Sequence, residues 1–205
     1  MRVHRSRFSY PVFLDLDGVP VLVVGGGRIG WRKVEGLLDA GAIVRLVGAD
    51  ISDHVDLDRI AGNGGEVITA SFDDRHLDGQ RLVVTATGDL VTDAAISDAA
   101  RARNIWTNAA DQPVDCEFIL PAIFRAGRVT AAISTDGASP ALAGSVRDRV
   151  AEILVAGVAE IADTLAAERA AVQAAGGSTE DIDWRSRLDE LFAEQANVLT
   201  DVASR

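Results

Sequence analysis

The chain has 205 residues, 48% of them apolar, enough to bury a real core as one domain or one and a half. A formal charge of −11, from 20 basic and 31 acidic residues, speaks against general nucleic-acid binding. Its longest apolar runs, such as VPVLVV, fall far short of the roughly 20 residues a membrane-spanning helix needs, so no membrane partner is expected.

Other bulk features point to the compartment. The basic N-terminus lacks an apolar core followed by a small-residue cleavage site, so no signal peptide is expected. Cys116 is the single cysteine and cannot form an internal disulfide, which suits a cytoplasmic protein. One lysine, Lys33, stands among nineteen arginines. An acid-rich, lysine-poor surface fits either a salt-rich cytoplasm or GC-rich codon usage.

In chain order, YPVFLDL reads as a short strand and GVPVLVVGG as a second, buried on both faces because it does not alternate. Ile29, Val34, Leu37 and Leu38 give residues 28–40 helical spacing, and Gly41 stops that helix. AIVRLVG, GEVITAS and RLVVTAT follow as strands, the last two separated by the polar turn FDDRHLDGQ. Residues 90–103 read as a helix and NIWTNAA as another strand. Strands alternating with helices predict an α/β fold, a Rossmann-type doubly wound parallel sheet. The rhythm then changes. CEFILPAIFRAGRVTAAIST holds two β-rich runs joined through Arg125, Ala126 and Gly127, a β-hairpin outside the sheet. Ser139 is the N-cap, with Pro140 at the first position, of a helix whose apolar stripe runs from Leu142 to Leu165 through Ile153 and Val158. AAGGSTEDIDW breaks it. Ser178 with Asp181 then starts another, carrying Leu188, Leu191, Phe192 and Val198. The expected organisation is a nucleotide-type α/β domain over residues 1–113, a hairpin linker over 114–138 and an all-helical C-terminal domain over 139–205.

The chemistry-bearing stretches begin with Gly25, Gly27 and Gly30, a G-x-G-x-x-G directly after a buried strand and at a helix start. The first permits the tight turn, the second lets backbone approach a pyrophosphate, and the third lets helix lie close to strand. Helix N–H groups and dipole then favour the phosphates. Asp50, twenty positions after Gly30, is either an acceptor for the adenosine ribose, favouring NAD over NADP, or a loop acid or cap. Lys33 is either retained for a specific task or a solvated helix charge. TATGD, with Thr87, and NAAD, with Asn108 and Asp111, end two predicted strands, the edge over which open α/β sheets bind ligands. Asn108 and Asp111 could orient a substrate and move a proton there, or act as turn residues. His4, His54 and His76 are scattered, so no metal site is expected. There is no G-x-S-x-G and no P-loop lysine.

With GGGRIGWRK, NAADQPVDCEFILPA and AISTDGASPALA in this order and spacing, the chain resembles the siroheme synthase N-terminal module from about Phe8 to Leu165. This is the precorrin-2 dehydrogenase/sirohydrochlorin ferrochelatase family. The resemblance implies NAD-dependent oxidation of precorrin-2 to sirohydrochlorin, with Fe2+ as a further substrate in many members. It also implies a homodimer built from a Rossmann domain, a central dimerisation region and a helical C-terminal domain. By motif, Arg28, Ile29, Ala49 and Asp50 correspond to cofactor contacts, and Asp111 to the family aspartate of both reactions. Thr135 matches a family serine near the active site, with Ser139 beside it. The substrate is a polycarboxylate, so cationic partners are expected among Arg101, Arg103, Arg125, Arg128, Arg147 and Arg149. Three positions depart from the family pattern: Gly88 for an acid, Asp136 for a glycine and Gly144 for an arginine. No methyltransferase module follows, so precorrin-2 is expected from elsewhere. A non-catalytic NAD-binding regulatory module would share the glycine loop but leave the hairpin, STDGASP and the helical tail unexplained.

Overall fold

The computed structural model describes residues 7–154, 157–180 and 182–203, with side chains through residue 195. The apolar run before the glycines forms β1 (Pro20–Gly26), and the glycine loop hands over to α1 (Arg28–Leu38). The chain continues through β2 (Ile43–Ile51), α2 (Leu57–Gly62), β3 (Glu66–Thr69), β4 (Leu82–Thr85), α3 (Leu90–Ala102) and β5 (Trp106–Ala109). These strands make one parallel sheet in the order β3-β2-β1-β4-β5, so the direction of winding reverses between β1 and β4. As the middle strand, β1 is apolar on both faces. Val21 and Val23 pack with Val34 and Leu38 of α1 and Ile60 of α2, while Leu22 and Val24 pack with Ile96 and Ala100 of α3. Each fully buried valine, leucine or isoleucine among them contributes about 1.5–3 kcal/mol.

Gly41 ends the first helix as expected. It adopts φ +80°, and the N–H groups of Gly41 and Ala42 reach back to the carbonyls of Leu38 and Leu37. The segment Tyr10–Leu16 is not a strand. Tyr10 and Phe13 are exposed and no strand pairs with them, so β-propensity there meets no partner. The short α2 escapes periodicity, because only Ile60 of its six residues is buried; Asp56 caps it through the Arg59 N–H.

The chain divides into two compact units, residues 1–120 and 121–205. In the second, β6 (Ala122–Ala126) and β7 (Val129–Ile133) form an antiparallel ribbon. Its turn is Gly127 and Arg128; Arg125 and Ala126 belong to β6. Three helices follow: α4 (Pro140–Leu154), α5 (Val158–Ala174) and α6 (Trp184–Ala203). The long stripe predicted as one helix is two, α5 restarting after Gly157 in the left-handed conformation (φ +78°). Its Leu142 and Ile153 are exposed. Ser178 accepts from the Glu180 N–H in a turn, whereas α6 begins at Trp184, where Asp183 accepts from the N–H groups of Arg185 and Ser186. Asp181, His4 and the side chain of Val198 lie outside the described residues. Arg187 of α6 pairs with Glu168 of α5 at 2.7 Å.

Candidate cofactor and active site

A cleft of about 800 Å³ opens at the carboxyl edge of the sheet, over the reversal between β1 and β4. Three glycines shape its floor for different reasons. A Cβ on Gly25, whose φ is +124°, would overlap the Ala86 carbonyl, and one on Gly30 would overlap the Gly25 carbonyl. A Cβ on Gly27 would meet no protein atom within 4 Å. The space it would enter lies in front of the α1 N-terminus, where no side chain caps the helix and its first intrahelical bond is Trp31 N–H to the Gly27 carbonyl. The N–H groups of Arg28, Ile29 and Gly30 are thus uncommitted donors, as a pyrophosphate requires.

Beside this loop, the β1–β2 pairing slips between Val24 and Gly26, so β2 bulges at its end. The bulge delivers Ala49 and Asp50 to the cleft rim, both exposed. Ser52, Phe72 and the first turns of α3 continue the wall. Thr87 lines the other side. Its Oγ1 donates to the buried carboxylate of Asp93 at 2.9 Å, and its backbone N–H donates to the same oxygen at 3.2 Å.

Gly25, Gly27, Ala49, Asp50 and Thr87 therefore meet around one cleft, with Gly30 beneath it and Arg28 and Ile29 in the exposed first turn of α1. Sequence reading missed Gly26 and Gly48. A Cβ on Gly26 would overlap the Asp50 carbonyl, and one on Gly48 would stand 2.8 Å from the Gly26 nitrogen. It also missed Asp93; an acid on the inner face of a helix was the available signal.

Asp111 follows β5 in a tight turn, with φ +59° and the Gln112 N–H bonded to the Ala109 carbonyl. Aspartate tolerates this left-handed region better than most residues. Its carboxylate is exposed. Asn108 does not share that exposure. It is buried, and its Nδ2 donates to the Phe118 carbonyl at 2.9 Å, so it pins the segment after the turn. Cys116 is buried too: its Sγ accepts from the Ala109 N–H at 3.2 Å, and burial pushes its thiol up. Arg7 closes the segment by donating to the carbonyls of Pro113, Val114 and Cys116.

In the second unit Thr135 and Ser139 bond each other: Thr135 Oγ1 accepts from the Ser139 N–H at 3.2 Å and donates to its carbonyl at 3.1 Å. Ser139 Oγ caps α4 through the Leu142 N–H. Arg128 pairs with Asp163 and Arg147 with Asp148, while in the first unit Arg101 pairs with Asp98 and Arg103 with Asp74. Arg125 and Arg149 have no ion pair among the described residues.

Fold and cleft together define a dinucleotide-binding α/β protein. Residues 12–122 match a family described as "Putative NAD(P)-binding". Relatives over a longer stretch are siroheme synthases. That of Pseudomonas fluorescens (strain SBW25) is 36% identical over 80% of this chain and 35% of its own. That of Methylobacillus flagellatus is 36% identical over 91% of this chain and 40% of its own. A solved structure titled "SirC, precorrin-2 dehydrogenase" is 26% identical with a TM-score of 0.69, covering 96% of this chain and 100% of that one. The chain belongs to this family, described as putative NAD(P)-binding, and is similar to siroheme synthases over most of its own length. It spans little more than a third of the length of these two siroheme synthases.

Proposed function

We propose that this chain is a precorrin-2 dehydrogenase, removing a hydride and a proton from precorrin-2 to give sirohydrochlorin, with NAD+ rather than NADP+ as oxidant. The observation that carries this reading is the pairing, along one sheet edge, of an uncapped glycine-loop helix start with an exposed carboxylate two strands away at Asp111. The end-to-end likeness to a protein titled precorrin-2 dehydrogenase supports the choice of substrate.

When bound, the nicotinamide supplies a hydride acceptor. Gly25, Gly27 and the N–H groups of Arg28, Ile29 and Gly30 hold the pyrophosphate. Asp50 accepts from the adenosine ribose and repels a 2′-phosphate. Asp111 takes the proton that leaves the macrocycle. Asn108 acts by positioning, through the Phe118 carbonyl. Thr135, Ser139 and Arg125 stand as substrate contacts, whereas Arg128 is engaged by Asp163. In a second reaction, with Fe2+ as substrate, Asp111 would take pyrrole N–H protons. The active form is a homodimer in the cytoplasm.

The direct test is anaerobic incubation of the purified chain with precorrin-2, followed by absorbance. Sirohydrochlorin should form with NAD+, far more slowly with NADP+, and not without nucleotide. Binding of NAD+ with no oxidation of precorrin-2 would instead favour a regulatory NAD-binding module.

A further inference from the structure

Lys33 stands half-buried on α1, one turn past the glycine loop, and it is the only lysine in the chain. The first unit spends many of its arginines on carboxylates: Arg45 on Glu66, Arg59 on Asp39, Arg101 on Asp98 and Arg103 on Asp74. Lys33 has neither an ion pair nor a hydrogen bond among the described residues. Phe118, in the segment after β5, packs into the apolar cluster that also holds Val34 and Leu38 of α1. Lys33 also feels the charges of Asp111 and Cys116, with Arg32 beside it on its own helix. Around Cys116 stand Arg7 and Asp115. Arg7 is occupied by three carbonyls, and the buried thiol of Cys116 is neutral at neutral pH. Burial first, and Arg32 second, hold the Lys33 amine below the usual lysine range. A partly desolvated ammonium without a direct partner gains most from an arriving anion.

We propose that Lys33 is a substrate-binding residue whose ammonium takes a carboxylate of the tetrapyrrole and brings the macrocycle against Asp111. The inference rests on the dehydrogenase reading above. A compact point charge on a flexible stem suits a carboxylate at the end of a mobile substituent better than a rigid guanidinium fork. The cofactor's phosphates offer the same anionic chemistry, so the two sources need separating.

The single lysine makes this readable on the unaltered full chain. Acetylation by an N-hydroxysuccinimide ester, followed by peptide mass analysis, reports Lys33 separately from the N-terminus. Saturating sirohydrochlorin should slow Lys33 acetylation several-fold, and NAD+ alone should leave it unchanged. In parallel, Lys33→Met should raise the KM for precorrin-2 about tenfold, the scale of one charge-assisted hydrogen bond, with kcat and NAD+ affinity held. Lys33→Arg, which keeps the charge but not the compact ammonium, should recover part of that loss, which a merely structural role would not predict. Equal acetylation with and without sirohydrochlorin, or a wild-type KM in Lys33→Met, overturns the proposal. So does protection by NAD+ alone, which would assign the lysine to the cofactor. A wild-type chain that binds no sirohydrochlorin overturns the dehydrogenase reading and the anchor together; binding that ignores Lys33 overturns only the anchor.

Discussion

Gly27 and Gly30 lie three residues apart, yet substitution should separate their roles. A side chain at Gly30 must displace the Gly25 carbonyl, which belongs to the central strand. Gly30→Ala should therefore destabilise the first unit by about 1–3 kcal/mol or more, on the scale of overpacking a core. A Cβ at Gly27 meets no protein atom within 4 Å and enters the space before the helix. Gly27→Val should keep the melting temperature and lose NAD+ binding by calorimetry. Retained NAD+ affinity would remove the glycine loop from the site. Asp50 makes a finer prediction from the same rim. Its carboxylate should favour NAD+ over NADP+ at least tenfold, on the order of 1.4 kcal/mol, and Asp50→Ser should erase most of that preference. Equal affinities in the wild type would exclude Asp50 from ribose recognition.

The helices of the first unit differ in how their starts are capped. Asp56 caps α2 and Asp89 caps α3, whereas α1 has no side-chain cap and keeps its donors for a ligand. The Thr92 hydroxyl and the Val91 N–H hold the Asp89 carboxyl below the usual carboxylate range. Because the folded state favours the ionised form, this stabilisation is full above the unfolded pKa of about 3.9 and is lost as pH falls through the lower folded value. Asp89→Asn keeps an acceptor but not the charge. The stability gap between wild type and variant, from urea midpoints, should hold near neutrality and narrow as the solution is acidified below that range. Parallel curves would show that the charge contributes nothing to the cap. Much of this level was legible in the residues: the non-alternating β1, the glycine loop, the Gly41 stop and the Ser139 cap each rest on a local rule. Tyr10–Leu16 and the break before α5 were not legible so. A strand needs a partner that composition does not reveal, and a glycine inside a helical stripe does not announce a left-handed turn. Asn108 was visible as a polar residue at a strand end, but only the fold shows its amide committed to Phe118. Asp136, where the family pattern has glycine, adopts φ +53°, and Gly88, where it has an acid, adopts φ +82°.

For the whole molecule, the tension lies between a net charge of −11 and the polyanionic substrate proposed above. Among the described residues eight arginines are already paired with carboxylates, which leaves the demand to the others, Lys33, Arg125 and Arg149 among them. Two-stranded ribbons are marginal alone and leave open edges, so the β6–β7 ribbon invites a twofold copy. Light scattering at micromolar protein should report a dimer, and a monomer would contradict that assembly. The proposed chemistry itself converges on Asp111. Asp111→Asn retains a residue that tolerates φ +59° and removes the base, so the turn should survive. Under anaerobic single-turnover conditions with saturating NAD+, sirohydrochlorin formation per folded molecule should fall about 10²–10⁴-fold, with NAD+ affinity unchanged. Wild-type turnover in the folded Asp111→Asn variant would remove the carboxylate from the reaction.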